Sequence, residues 1–396
     1  MTVPVLAQTD PGTSALTPDQ RKIVEQSSKP SGRGELHYSG AGLDTVGAEV
    51  RVPVAGKTIT IARKNSTMQS DGSVIWLGEV QETGERALLM LWSNAVLTGY
   101  FAYNGTIYTV ENLGGGVKVF TEMDRRKMPA DHPVATGRTD SMPDTPTPPE
   151  PARPLPPAAE PPVEPFPDAD RIALEAKDIT IDVMLLYSQN VADLYVRKPE
   201  DLLALAIEET NQAFKNSGLG NIKLRLVHTQ AVDYVGSEED QFTDLYTMVD
   251  GLGPFKDVKR LRDEKHADIV GLIIDNPSGC GLSTRIGPTS DEAFFVVHHA
   301  CATITLSIAH EIGHMLGARH DRFVDRSDEP FAYGHGYVNA DKWRDIMSYK
   351  TGCGGCPRIP YWSNPRVSYK GEPTGTPAAD SARVILERAE RVSKFR

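Results

Sequence analysis

His310-Glu311-Ile312-Gly313-His314-Met315-Leu316-Gly317-Ala318-Arg319-His320 is the stretch from which the rest of the chain is read. On a helix, His310 and His314 stand four residues apart and so lie one above the other on the same face. Two imidazoles placed that way can share a tetrahedral Zn²⁺ at about 2.0–2.1 Å each. Glu311 falls beside such an ion without pointing at it, where it can take a proton from water on the metal. Gly317 can end the helix in a left-handed turn at low steric cost. That turn lets His320 swing back as a third ligand. Three protein ligands leave one position open, which marks a catalytic rather than a structural zinc.

A chain of 396 residues suggests two or three domains. Its net charge of −11 argues against a nucleic-acid binder, which would carry a basic face. No run approaches the ~18–20 apolar residues that span a membrane. Met1 to Gln8 has neither the basic region nor the apolar core of a complete signal peptide. All four cysteines, Cys280, Cys301, Cys353 and Cys356, lie in the last third of the chain and bracket the histidine motif. Of their three possible pairings, Cys280–Cys301 and Cys353–Cys356 each tie a local loop. A second zinc on Cys353 and Cys356 would need another close pair of soft ligands, and the sequence holds none. Disulfides imply an oxidising compartment, so the protein is expected to be secreted, with its export signal absent from this sequence.

Read in order, residues 1–34 form a flexible, polar N-terminal segment. Residues 35–130 read as a small antiparallel β-rich domain, with strand-length runs at Val46–Val52, Ser73–Val80, Ala87–Trp92 and Thr106–Val110. Asp71-Gly72, Asn104-Gly105 and Gly114-Gly115-Gly116 separate them. Residues 131–169 are a Pro-rich linker, extended and open to proteases. Residues 170–396 turn α/β, with strands predicted at Ile179–Tyr187, Asn221–Val232, Ala267–Ile274 and Glu292–Val297. Helices are predicted at Pro199–Ser217, Asp257–Lys265 and Ala378–Lys394, and the zinc helix at Ala302–Leu316. His298 and His299 follow the fourth strand. Adjacent side chains on a strand face opposite ways and cannot easily share one metal, so these two read as structural or surface residues.

Asp345-Ile346-Met347-Ser348-Tyr349 lies about twenty-five residues past His320. A Met there, after an elongated zinc motif, resembles the Met-turn of the metzincin metallopeptidases. The chain is most similar to the bacterial reprolysin-like enzymes, and among them to the peptidyl-Asp metalloendopeptidases. The residues that carry this are His310 to Asp321, Tyr333 to Tyr337, and Cys356 to Pro365. The resemblance implies an α/β metzincin catalytic domain with a zinc helix and a twisted, mostly parallel sheet. Glu292–Val297 would be its antiparallel edge, where substrate adds as a strand.

The resemblance also implies roles. His310, His314 and His320 would hold one catalytic Zn²⁺, with Glu311 as general base, Met347 beneath the metal and Tyr349 as an oxyanion stabiliser. Whether a structural Ca²⁺ accompanies the zinc is not written in these residues. The narrow family cleaves before acidic residues, which requires a cation in the S1′ pocket. Arg358, Lys350 and Arg366, all past the Met-turn, are candidates, with Arg358 preferred because Cys356 and Pro357 fix its loop. The expected partners are protein or peptide substrates, with no nucleic acid and no membrane span. The N-terminal domain resembles a propeptide that inhibits in cis. No cysteine precedes Cys280 to block the zinc, which leaves Asp124, Asp131 or His132 as stand-ins. An adhesion or toxin module of the same fold would have no use for Glu311. A third possibility keeps the N-terminal domain as a substrate-targeting module.

Overall fold

The computed structural model describes residues 16–27, 33–40, 48–131 and 162–396, apart from residues 55–56, 70–71, 93–95, 115–116, 125–127, 196–198, 238–239 and 341. Most of the Pro-rich linker therefore lies outside the described residues. The chain divides into two compact units, one of residues 1–128 with 190–205, the other of residues 129–189 with 206–396.

The first unit begins with a helix, α1 (Pro18–Ser27), inside the segment expected to be flexible. Thr17 caps it reciprocally with Gln20, the hydroxyl accepting from the Gln20 N–H while the Gln20 side chain accepts from the Thr17 N–H. Eight antiparallel strands follow: β1 (Arg33–Gly40), β2 (Glu49–Val54), β3 (Lys57–Met68), β4 (Val74–Val80), β5 (Arg86–Leu91), β6 (Leu97–Tyr103), β7 (Thr106–Gly114) and β8 (Val117–Met123). From β2 to β8 each strand pairs with the next, and β1 returns to pair with β8. Period-2 alternation turns Val50, Val52, Ile59, Ile61, Trp76 and Leu89 into one core. Phe101 stacks on Tyr108 at 5.1 Å within it. Sequence pattern found four of these eight strands. The polar half of β3, from Arg63 to Met68, does not alternate, and that hides it.

The second unit is built on a five-stranded sheet with helices. It contains α2 (Asp168–Glu175), β9 (Ile179–Ser188), β10 (Ile222–Val232), β11 (Ile269–Ile274), β12 (Gly281–Ser283) and β13 (Phe294–His298). Between β9 and β10 come α3 (Gln189–Leu194), which past Gln189 belongs to the first unit, and α4 (Glu200–Asn216), which belongs to the second from residue 206 on. The helices α5 (Gln241–Val249) and α6 (Val258–Glu264) lie between β10 and β11. The zinc-motif helix α7 (Ser307–Met315) and the terminal α8 (Ser381–Val392) complete it. Strand order is β10-β9-β11-β13-β12. All neighbours run parallel except β12, which is antiparallel to β13. Parallel strands covered on both faces read as continuous apolar runs, and all six residues of Ile269–Ile274 are buried.

Two sequence expectations are corrected here. The segment Glu292–Val297 is not the antiparallel edge: β13 runs parallel to β11, inside the sheet, and the edge is the three-residue β12. The zinc helix starts at Ser307 rather than Ala302, because Leu306 adopts a left-handed φ of 59° that a right-handed helix cannot contain. At the other end of the chain, Asp380 caps α8 by accepting from the Arg383 N–H at 3.0 Å. The face of α8 bearing Val384, Ile385, Ala389 and Val392 is buried.

Candidate active site

Every residue of α7 is buried, so its two histidines enter a site walled by protein. The Nδ1 atom of His310 lies 2.9 Å from the Ile346 carbonyl, and that of His314 lies 2.8 Å from the Ala318 carbonyl. A carbonyl only accepts, so each Nδ1 carries the proton and each Nε2 presents a lone pair. Gly317, at φ 95°, makes the turn that returns the Ala318 carbonyl to His314 and carries the chain on to His320. The three Nε2 atoms of His310, His314 and His320 then meet at 2.9, 3.1 and 3.2 Å from one another.

Nε2 lone pairs turned toward one point repel unless a cation sits among them. A tetrahedral ion with bonds of about 2.05 Å would hold its nitrogens roughly 3.3 Å apart, close to what is seen. The three form a group able to hold one metal ion. The donor set fits zinc.

The turn Asp345 to Tyr349 braces this arrangement. Its Ile346 carbonyl holds His310, and its Met347 is wholly buried against Gly313 of α7. Asp321, next to His320, accepts the Tyr349 N–H at 2.8 Å and the Phe323 N–H at 3.0 Å. That ties the third ligand to the turn. The Tyr349 hydroxyl lies 3.1 Å from His320 Nε2. His335 is no ligand: its Nδ1 faces the His320 carbonyl at 2.8 Å and its Nε2 the Ser327 carbonyl at 2.9 Å.

Glu311 reaches the sheet edge. Ser283 of β12 donates its hydroxyl to Glu311 Oε2 at 2.5 Å, and a Cβ on Gly281 would collide with the other oxygen. Burial pushes the Glu311 carboxyl up to about 8, against the pull of the Ser283 hydroxyl and Arg358. A dication beside the carboxylate acts in the same downward direction. Sequence reasoning missed Ser283, because three residues of strand leave no pattern.

The three cations proposed for acid recognition separate. Arg366 forms a two-pronged pair with Asp380 at 2.6 and 2.9 Å, at the start of α8. The Lys350 side chain is exposed. Arg358 is buried and joined by an unforeseen partner, Arg344, the two residues bridging backbone to backbone. Their guanidiniums mostly face carbonyls: Arg358 donates to Thr305 and Ser348, Arg344 to Ser348 and Cys356. Burial, then the charge of Arg358, holds Arg344 down at about 10. Among the described residues, the one carboxylate at ion-pair distance from either is Asp131, 3.8 Å from Arg344 and 3.9 Å from Arg358. Asp131 meets these cations and is not in the group able to share the metal. Of the other proposed stand-ins, Asp124 belongs to the first unit and His132 lies outside the described residues.

The disulfides Cys280–Cys301 and Cys353–Cys356 are both formed. The first secures the residue before β12, the second the loop that leads to Arg358. His298 and His299 converge after all, with ring centroids 4.6 Å apart and both Nε2 atoms 3.2 Å from Asp275 Oδ1. Strand alternation fails because His299 already belongs to a 3₁₀ turn. Yet the Ala300 N–H donates to His298 Nδ1, which leaves the ring proton on Nε2, bonded to Asp275. In that tautomer His298 has no lone pair to offer a metal.

Residues 177–363 match the family model Reprolysin_5, metallo-peptidase family M12. The peptidyl-Asp metalloendopeptidase of Xanthomonas campestris is 31% identical over 100% of this chain and 93% of its own. The chain belongs to this family of zinc metalloendopeptidases. The enzyme of the same name from Stenotrophomonas maltophilia is also 31% identical, over 89% of this chain and 84% of its own. Among solved structures, metalloproteinase-II of Bacteroides fragilis aligns over 86% of this chain and 90% of its own, at 15% identity and a TM-score of 0.41. That likeness is too distant to carry function. Among the described residues no helix is long and apolar enough to cross a membrane.

Proposed function

We propose that this metallopeptidase is a secreted enzyme of metzincin fold, made latent, that cuts peptide bonds on the N-terminal side of aspartate. When bound, zinc supplies a Lewis acid that polarises the scissile carbonyl and makes water a nucleophile near neutral pH. The chain supplies the rest. Glu311, aimed by Ser283, takes the proton of the attacking water and passes it to the leaving amine. The Tyr349 hydroxyl, beside His320, donates to the oxygen on which charge develops. A substrate strand extends the sheet at β12.

The buried pair Arg344 and Arg358 carries the aspartate preference. Two guanidiniums taken out of water are costly without an anion between them, and a carboxylate of the substrate supplies one. The relatives' shared name agrees. Secretion is supported by two disulfides and no free cysteine. Residues 1–169 serve as the prosegment, and the Pro-rich stretch between 132 and 161 is where the latent chain is opened.

Digestion of a defined peptide mixture, followed by sequencing of the new N-termini, tests the specificity. Aspartate should dominate the first position of the products. A flat distribution there would remove the arginine pair from recognition.

A further inference from the structure

Pro129, Ala130 and Asp131 belong to the second unit and lie at its active site. The Ala130 carbonyl accepts the Cys280 N–H at 2.7 Å, immediately before the edge strand β12. Cys280 in turn gives its own carbonyl to the His298 N–H of β13. The segment is therefore hydrogen-bonded beside the residue that leads into the edge strand, where a substrate strand would add.

One residue on, Asp131 places its carboxylate among three donors. Oδ2 accepts the Lys350 N–H at 3.2 Å and stands 3.8 Å from Arg344 Nη2 and 3.9 Å from Arg358 Nη2. Its side chain is 11% exposed, and those of the two arginines are 9% and 6%. Burial pushes the Asp131 carboxyl up, but Arg358, Arg344 and the Lys350 N–H outweigh it and hold the group below its ordinary value.

We propose that Asp131 is a tethered stand-in for the acidic residue of a substrate, occupying the carboxylate pocket of Arg344 and Arg358 and closing it to other chains. This rests on the assignment of those arginines as the acid pocket. The carboxylate meets the guanidiniums and is not in the group of described residues able to share the metal. The peptide bond before Asp131 has its carbonyl already engaged. The Cys280 N–H donates to that carbonyl oxygen, so a step that polarises the oxygen has to break this bond first.

The test uses the full-length, zinc-loaded chain carrying Glu311→Gln, so that nothing is cut. Two labelled decapeptides, identical but for Asp or Asn at one position, are titrated against it with Asp131 intact or changed to Asn. The Asp131→Asn chain should bind the Asp peptide at least about tenfold more tightly than the Asp131 chain does, a difference of about 1.4 kcal/mol. It should also prefer the Asp peptide over its Asn twin. Asp131→Glu, which keeps the charge on a longer arm, should restore part of the block. Equal binding of the Asp peptide by the Asp131 and Asp131→Asn chains, with the Asp preference kept, would overturn the occupant and spare the pocket. Loss of any distinction between the twin peptides in the Asp131→Asn chain would overturn both.

Discussion

Replacing Arg358 by Met removes one guanidinium from the proposed acid pocket while keeping a long, apolar stem. The magnitude follows from the Asp131 contact, which shows where a carboxylate sits. At 3.9 Å and an effective dielectric constant near 20, the attraction is about 4 kcal/mol. Desolvation of both partners and relaxation of Arg344 offset part of it. About 1.5–3 kcal/mol remains, the usual range for a hydrogen bond to a charged group. That corresponds to roughly a 10- to 150-fold loss in kcat/KM for a peptide with aspartate in the pocket.

The assay compares twin peptides with Asp or Asn after the scissile bond, using enzyme cut in the linker. The ratio matters more than either rate. Arg358 also steadies the charged form of Glu311 and donates to the Thr305 and Ser348 carbonyls, so its loss slows both peptides. Those common effects cancel in the ratio. Arg344→Met should act in the same direction, and the double change should fall short of the sum because both cations meet one oxygen. An Asp-to-Asn ratio that moves less than about threefold in Arg358→Met would refute the pocket.

Gly313→Ala should cost about 1–3 kcal/mol in urea unfolding, because the new methyl would stand 2.5 Å from Met347 Sδ and 2.9 Å from Trp362 Nε1. A neutral result would mean that the turn beneath the metal is loosely packed. Removing the Cys280–Cys301 bridge opens a loop of sequence separation 21, and loop entropy sets the loss at about 3 kcal/mol, read from the urea midpoint of the double Ala variant. Burial raises the Asp345 carboxyl from 3.8 to about 7. The folded state therefore binds the proton more tightly than the unfolded chain does. The stability this contributes is complete below about pH 4 and is lost as pH rises through about 7. Urea midpoints measured between those limits should fall less steeply with pH in Asp345→Asn than in the parent, and identical slopes would contradict the assignment.

Local chemistry was legible in the sequence where it depends on short spacing. His310 and His314 share a helix face, Gly317 turns, and His320 follows three residues later, all within eleven positions. Paired cysteines close in sequence were legible for the same reason. Features set by tertiary contact were not. β12 is three residues long, and nothing in Gly281–Ser283 announces an edge strand or the hydroxyl that aims Glu311. Arg344 precedes the Met-turn and becomes a partner of Arg358 only through a backbone bridge. Leu306 breaks an apolar run that reads as continuous helix, since no propensity scale marks a leucine for a left-handed turn. His298 and His299 converge because the strand ends between them.

The most direct measurement of the central claim is zinc content alongside kcat/KM for wild type and Glu311→Gln. On the proposed reading the three histidines hold the ion without Glu311, and Glu311 moves the proton. Glu311→Gln should therefore keep the wild-type zinc content of one ion per chain and lose roughly 10²- to 10⁴-fold in rate. A Glu311→Gln enzyme that keeps its zinc and turns over at the wild-type rate would contradict the account.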